Sequence, residues 1–475
     1  MSPMQLAFSR WLAPAVLTTA AILLSACDAK APEAQADLRI TGVTVIDAER
    51  GRRENQTVLI RGEQIIAAAS GDQRPATRTL DGTGKFLIPG LWDMHVHITY
   101  IPELTPMMAD LFLDYGITSV RDTGALLHEI QPEIQSWRAA DAVAPSIYFS
   151  GPLLDGALVV YDGDGRSEIG IANPTPDAAR QNIARLQTAG VDFVKIYELV
   201  SPDVFAAMVQ AARAAELPIA SHVPLALLAG DAGPQVDSME HLRNIEMACA
   251  DNANELLTQR RARIEQPGTD SGAELRAELH RAHRSPARAR ADKQTCDDVM
   301  AALTGTVQVP TLRLNTVGLY PPQARADWMT HLAKLPQQTQ DAWLAFAENF
   351  PASGSDALTE LQQFSQWSLD LVGQLHAAGV PVGAGTDTPI GSAIPGYSLH
   401  TELERLVQAG LTPLDALAAA TVRPPEFFDM ADTIGQVKAG HVADLLLLNA
   451  DPLADIRNTR DINAVISRGK LVREY

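Results

Sequence analysis

Eight short β-like runs recur along this chain, each followed by a helical pattern, and no other feature restricts its fold so strongly. They read FLIPGLWDMHVHI (86–98), ITSVRDTG (117–124), SIYFSGPLL (146–154), FVKIYELV (193–200), PIASHVP (218–224), SMEHLRN (238–244), VQVPTLRL (307–314) and VPVGAGTDT (380–388). Intervening stretches such as PTPDAARQNIARLQTAG and SPDVFAAMVQAARAAE carry apolar residues at spacings of three and four, and the first closes on a glycine. Parallel strands need crossover helices, so eight repeats predict an α/β fold built as a (β/α)8 TIM-type barrel over 85–432. Its active site would lie at the C-terminal ends of the strands. Residues 38–84 and 433–475 alternate apolar and polar positions around turn signals. Two half-sheets of one chain pair most simply with each other, which predicts a small composite β-sandwich domain beside the barrel. Residues 251–295 break the rhythm between the sixth and seventh runs with a charged, helical composition. The pattern predicts a solvated helical insertion, with a lid that contacts substrate as the alternative.

A strand sends residues i and i+2 to one face, so His95 and His97 both point into the barrel while Val96 faces the helices. Two converging imidazoles are metal-ligand chemistry. The same alternation turns Lys195 inward with Phe193 and Tyr197. A free ammonium there is costly, and a neighbouring dication would repel it. Reaction with carbon dioxide converts it to a carbamate, an anionic oxygen ligand able to bridge two metals. The alternatives are a lysine tip that reaches solvent or one that pairs with an acid. His222, His241 and Asp387 stand at the ends of runs five, six and eight. Taken singly, His222 is as readily a packed histidine and Asp387 a helix cap. Together, four of the chain's 11 histidines, one lysine and one aspartate fall at predicted strand ends.

That ordered set resembles the amidohydrolase superfamily of metal-dependent hydrolases. The similarity extends to IPGLWDMHVH, the KIY run, SHVP, the EH pair, GTDTP, LTPLDALAAAT and GQVKAGHVADLLLL. The last two are similar to segments of imidazolonepropionase-like and prolidase-like members. The resemblance implies two divalent metal ions, zinc, with His95, His97 and Asp387 on one and His222 and His241 on the other. Lys195, carboxylated, would bridge them. Imidazolonepropionase itself works with one metal and lacks this lysine, so Lys195 is the residue that favours two. Attack of a metal-bridging hydroxide on an amide C–N bond would follow, with Asp387 as general acid and base, in a small peptide-like or N-acyl amino acid substrate. A lactone, a cyclic amide or a phosphotriester on the same centre is the alternative, and a noncatalytic binding lipoprotein is the alternative of another class.

Candidate substrate contacts are Tyr197, as a hydroxyl donor, and Arg313, as a bidentate carboxylate clamp or else a surface arginine paired with an acid. His400 opens a helix after the eighth run, in a structural or substrate-contacting role. Arg121 and Asp122, ending the second run, would support the site as a buried pair.

Charge bears on partners: 57 acidic against 38 basic residues give −19, which argues against general affinity for nucleic acid or anionic membrane. Arg10 precedes an apolar run from Trp11 to Leu24, too short for a comfortable spanning helix, and residues 1–26 read as an export signal. Leu24-Ser-Ala-Cys27 resembles a bacterial lipoprotein box, with Cys27 lipidated and residues 27–37 as a tether. An ordinary signal peptide with a chance cysteine is the alternative. Export as a lipoprotein places the protein on the periplasmic side of the cell envelope, with membrane contact through the lipid anchor only. There Cys249 and Cys296 can form a disulfide, or stay two separate buried thiols. Nothing in the sequence indicates an oligomeric state.

Overall fold

The computed structural model describes residues 35–475. The expected export signal, Cys27 and most of the expected tether lie outside the described residues. Leu445–Leu448 is antiparallel to Phe86–Pro89 on one side and to Ile462–Ser467 on the other, so the N-terminal and C-terminal strands enter a single sheet. All four leucines of that strand are buried because it has a core on each face. Leu445 and Leu447 pack with Ile40, Val45, Val58 and Ile466, while Leu446 and Leu448 join Ile88 and Val465 in the main core. The pairing traces one eight-stranded sheet, a path of seven strands with Ala76–Asp81 branching from Ala36–Asp47. The branch follows from the 12-residue length of Ala36–Asp47 and its two register shifts, which let its first part pair with Ala76–Asp81 and its last part with Phe86–Pro89.

Beyond this sheet lies a TIM-barrel-like α/β unit. Leu91–Val96, Ile117–Asp122 and Ser146–Phe149 form a parallel three-stranded sheet. Gly170–Ile171, Leu153–Leu154, Val194–Ile196, Ile219–Ser221, Ser238–Glu240 and Val307–Val309 form a parallel six-stranded one. Two expectations need correction. The first run is broken at Gly90, so Phe86–Pro89 belongs to the terminal sheet and only Leu91–Val96 to the barrel-like unit. A Cβ at Gly90 would fall 2.1 Å from the Thr118 hydroxyl, so only glycine fits this crossing. The eighth run forms no ladder; it is held by single parallel bridges, Val382 to Gln308 and Thr388 to Val96. Gly383 and Gly385 let it thread between the first and seventh strands: added Cβ atoms would meet Met94 Sδ at 2.5 Å and Val309 Cγ1 at 2.6 Å. Asp387 then takes a left-handed φ of 61°, which ends any regular strand.

Helices cover the outer face. Thr175 and Ser201 cap Pro176–Ala189 and Pro202–Ala214, each with proline in the first turn, and Gly190 closes the former in the left-handed conformation. Among the described residues no helix is long and apolar enough to cross a membrane. The charged segment folds as helices Ala253–Glu265 and Gly272–Ala289, the second opened by a Ser271–Glu274 capping box. Its feet are pinned by the Cys249–Cys296 disulfide, by the Ala250–Ala291 bridge and by Asp292 N donating to Cys249 O at 2.9 Å. The double variant Cys249→Ser/Cys296→Ser should lose up to about 4 kcal/mol of stability by the loop-entropy relation. Urea melts of the oxidised wild type against the variant measure it.

Candidate metal centre

The bulged end of the first strand, the ends of strands four to six and the turn of the eighth run converge on one pocket. His95, His97, Lys195, His222, His241 and Asp387 all line it. The imidazoles of His95 and His241 lie 4.5 Å apart by ring centroid, those of His222 and His241 4.7 Å, and those of His95 and His97 5.4 Å. Asp387 Oδ1 sits 3.3 Å from His95 Nε2 and 3.2 Å from His97 Nε2. His95, His241 and Asp387 each offer a ligand atom within 4.8 Å of the others.

Each of the four histidines is fixed through its Nδ1. His95 binds Glu240 Oε2 at 2.7 Å, His97 the carbonyl of Gly124 at 2.9 Å, His222 Glu198 Oε1 at 2.7 Å and His241 Thr311 Oγ1 at 2.7 Å. The Thr311 hydroxyl donates to Pro310 O, so it accepts from His241 and sets that tautomer. Partners of this kind leave Nε2 as a lone-pair donor, the arrangement a metal-binding histidine requires. Burial keeps two of the rings neutral, pulling His222 down to about 3 and His241 well below the ordinary histidine range, whereas at His97 burial is outweighed by Asp387, which raises it. Burial opposes ionisation of Asp387, but the surrounding imidazoles, led by His241, hold its carboxyl well below the ordinary value. His241, Thr311 and Asp387 all adopt left-handed φ, at 62°, 46° and 61°. Strain of about 1–3 kcal/mol per residue of this type is characteristic of positions held for function.

Lys195 is 1% exposed, and its Nζ has no hydrogen-bond partner among the described residues. Neither alternative for it holds: the tip does not reach solvent, and no carboxylate bonds it. Burial pulls its pKa down to about 8.

Other expected contacts are relocated. Arg313 does not reach the pocket: its guanidinium donates to the carbonyls of Thr386 at 2.6 Å, Gly391 at 2.9 Å and Ile390, bracing the turn that carries Asp387. His400 lies outside it too, with Nδ1 on Thr459 Oγ1 and Nε2 facing Tyr115 O, both at 2.9 Å. Arg121 and Asp122 do not pair with each other. Arg121 binds Glu240 at 2.7 Å and Met94 O at 2.6 Å, whereas Asp122 accepts from the backbone of Ile98 and Gly124 and shapes the turn after His97. Tyr197 does line the pocket, its ring 4.4 Å from that of His222, and burial keeps its hydroxyl protonated.

Glu240, Glu198, Thr311 and Asp93 escaped attention in the sequence. Asp93 accepts from Thr386 Oγ1 at 2.6 Å and from the backbone of Thr386 at 2.9 Å and His95 at 3.2 Å, tying the first strand to the eighth run. A carboxylate one or three residues from a candidate ligand, as Glu240 is from His241 and Glu198 from Lys195, is the signal that was there to read. The insertion is likewise more than a solvated excursion. Arg276 and Arg284 from its second helix line the pocket, and His280 reaches Glu198 at 2.5 Å.

The amidohydrolase family model matches residues 365–472. Ochratoxinase of Aspergillus niger is 34% identical over 125 residues, which cover 25% of this chain and 25% of that protein; the chain thus matches about a quarter of its curated relative's length. The solved structure of A. niger ochratoxinase aligns with a TM-score of 0.63 at 19% identity, over 93% of this chain and 97% of that one. A Xaa-Pro dipeptidase structure with bound methionine aligns with a TM-score of 0.65 at 17% identity, over 92% of this chain and all of the other. Residues 365–472 thus match the amidohydrolase family model, and the chain shares the fold of these solved structures over more than nine-tenths of its length.

Proposed function

We propose that this chain is a metal-dependent hydrolase that cleaves a carbon–nitrogen amide bond in a small peptide-like or N-acyl amino acid substrate. One observation carries the reading: four imidazoles tethered at Nδ1 turn toward the same pocket as Asp387 and a buried lysine whose Nζ has no partner. An all-nitrogen and carboxylate donor set suits zinc. His95, His97 and Asp387 would hold one ion, His222 and His241 the other, and Lys195, carboxylated on Nζ, would join them. Bound there, divalent zinc lowers the pKa of water and polarises a carbonyl.

The chain's own residues supply the rest. Glu240 and Glu198 hold the His95 and His222 rings in the tautomer that faces the pocket. Asp387, ionised and beside two imidazoles, takes a proton at Oδ1 and returns it to the leaving nitrogen. Tyr197, protonated and on the pocket wall, donates a hydrogen bond to the substrate. The cavity of about 310 Å³ fits a small molecule and not a folded protein. Amide chemistry is supported by the relatives, among them an N-acyl-D-aspartate deacylase of Alcaligenes xylosoxydans xylosoxydans, 33% identical over 91 residues. The sequence around Cys27 supports export as an envelope lipoprotein, a setting that suits the Cys249–Cys296 disulfide.

Zinc-reconstituted protein assayed on dipeptides and N-acyl amino acids beside lactones and phosphotriesters tests the reaction class; turnover of the latter two alone would overturn it. Labelled ¹³CO₂ should give a protein-bound carbamate resonance in the wild type that is missing from Lys195→Ala.

A further inference from the structure

Three arginines stand on one side of the pocket. Arg243 follows His241 on the turn after strand six, and Arg276 and Arg284 come from the second helix of the disulfide-pinned insertion. Their side chains keep only 16%, 18% and 21% of their exposure, and Nε of each is buried without a hydrogen-bond partner among the described residues. Two carboxylates face them. Glu198 takes Arg276 at 2.9 Å and lies 3.9 Å from Arg243, but its oxygens are already shared with His222 and His280. Glu246 approaches Arg284 Nε at 3.3 Å without forming a hydrogen bond, and its Oε1 is left unpartnered. Arg260, buried behind them on Asn244, adds positive charge to the same region. Partly desolvated guanidiniums thus outnumber their carboxylates, a costly arrangement unless an anion completes it. Burial and the closeness of Arg243 pull Arg284 down to about 10, the direction expected of a cation short of counter-charge. Arg284 lies over the Phe364 ring, 4.6 Å from its centroid, and Leu314, Val317, Leu361 and Ile390 add an apolar lining to the pocket.

We infer that Arg243 and Arg284 form a subsite for a carboxylate carried by the substrate, with Arg276 as a positioning residue held by Glu198 and the insertion as the element that brings the subsite over the metal centre. This rests on the amide-hydrolase reading for its substrate class, but the anion site stands on its own geometry. An apolar group beside the carboxylate fits the apolar lining next to Arg284. Arginine suits the task because its planar fork binds a carboxylate through two parallel hydrogen bonds.

The binding test uses chelator-treated protein, so that a carboxylate cannot bind through metal. Calorimetry compares 3-phenylpropionate with 3-phenylpropionamide. The acid should bind about 30-fold more tightly or better, and Arg243→Gln and Arg284→Gln should each remove most of that preference while Arg284→Lys retains part of it. Equal affinity of acid and amide for the wild type, which needs no variant to fold, overturns the subsite, as does a preference unchanged in both glutamine variants. Turnover of an N-acyl amino acid and its carboxamide by the zinc-loaded enzyme separates the two readings. Preferential binding with no amide turnover upholds the subsite and sinks the hydrolase. Turnover of both amides alike, with no binding preference, does the reverse.

Discussion

Lys195→Met should lose activity and gain stability. Zinc-loaded wild type and variant will differ in kcat/KM by about 10³-fold or more, because the variant lacks the pocket Nζ proposed to carry the bridging carbamate. Bound zinc per chain should fall in parallel. The stability change has the opposite sign. In the metal-free protein the Nζ is buried with no hydrogen bond, and an unmade bond to a buried polar group costs about 1–3 kcal/mol. Methionine has nearly the same length and no such requirement, so the metal-free variant should be about 2 kcal/mol more stable at neutral pH. A pH series separates this from a packing effect. Burial lowers the folded pKa of Lys195 to about 8 from the ordinary 10.5, so between those values the unfolded chain binds more protons than the folded one. Metal-free wild type should therefore gain stability as pH rises across that window, and Lys195→Met should not. A variant that melts at or below the wild type throughout would show that Lys195 has a native partner.

This conflict between stability and site chemistry also marks where the sequence was readable. His95, His97, Lys195, His222, His241 and Asp387 were legible because strand alternation and strand ends are local properties, and local order was enough to bring them to one pocket. The pairing of the terminal strands was legible from the alternation of residues 38–84 and 433–475, since two half-sheets of one chain pair most simply with each other. As substrate contacts, Arg313 and His400 fail because their partners are carbonyls and hydroxyls supplied by distant segments, Thr386 and Gly391 for one and Tyr115 and Thr459 for the other, which leaves His400 in the structural role that was its alternative. No spacing rule registers a backbone acceptor. The insertion was misjudged because charge density alone reads as solvated surface, whereas Arg276, His280 and Arg284 share one helical face at spacings of four and turn it toward the pocket. The eighth strand failed because two glycines and a left-handed aspartate suit close passage between neighbours, not a ladder.

Arg121→Met should be the most destabilising single change near the site. Arg121 is fully buried, stacked 4.6 Å from the Phe427 ring, and donates to Glu240 at 2.7 Å, to Ser238 Oγ at 3.0 Å and to Met94 O at 2.6 Å. Burial alone would raise the Glu240 pKa, but Arg121 above all, with Lys195 and His95, holds it well below the ordinary carboxylate value. Removing one partner of such a pair strands a buried charge, at about 3–5 kcal/mol. Glu240→Gln alone should cost a similar amount, and the double variant much less than the sum, with a coupling of about 1–3 kcal/mol in the cycle. The pH dependence follows from the sign of the shift. Stability contributed by a depressed carboxylate is present above its unfolded pKa and is lost as pH falls through its lower folded one. In Arg121→Met the folded value climbs, so acid unfolding should begin at a higher pH than in the wild type. Because Glu240 Oε2 also fixes His95 Nδ1, zinc affinity should drop about 10–100-fold in Arg121→Met even where the protein remains folded. Unchanged zinc affinity in a folded variant would confine Arg121 to packing and free His95 from its dependence on this pair.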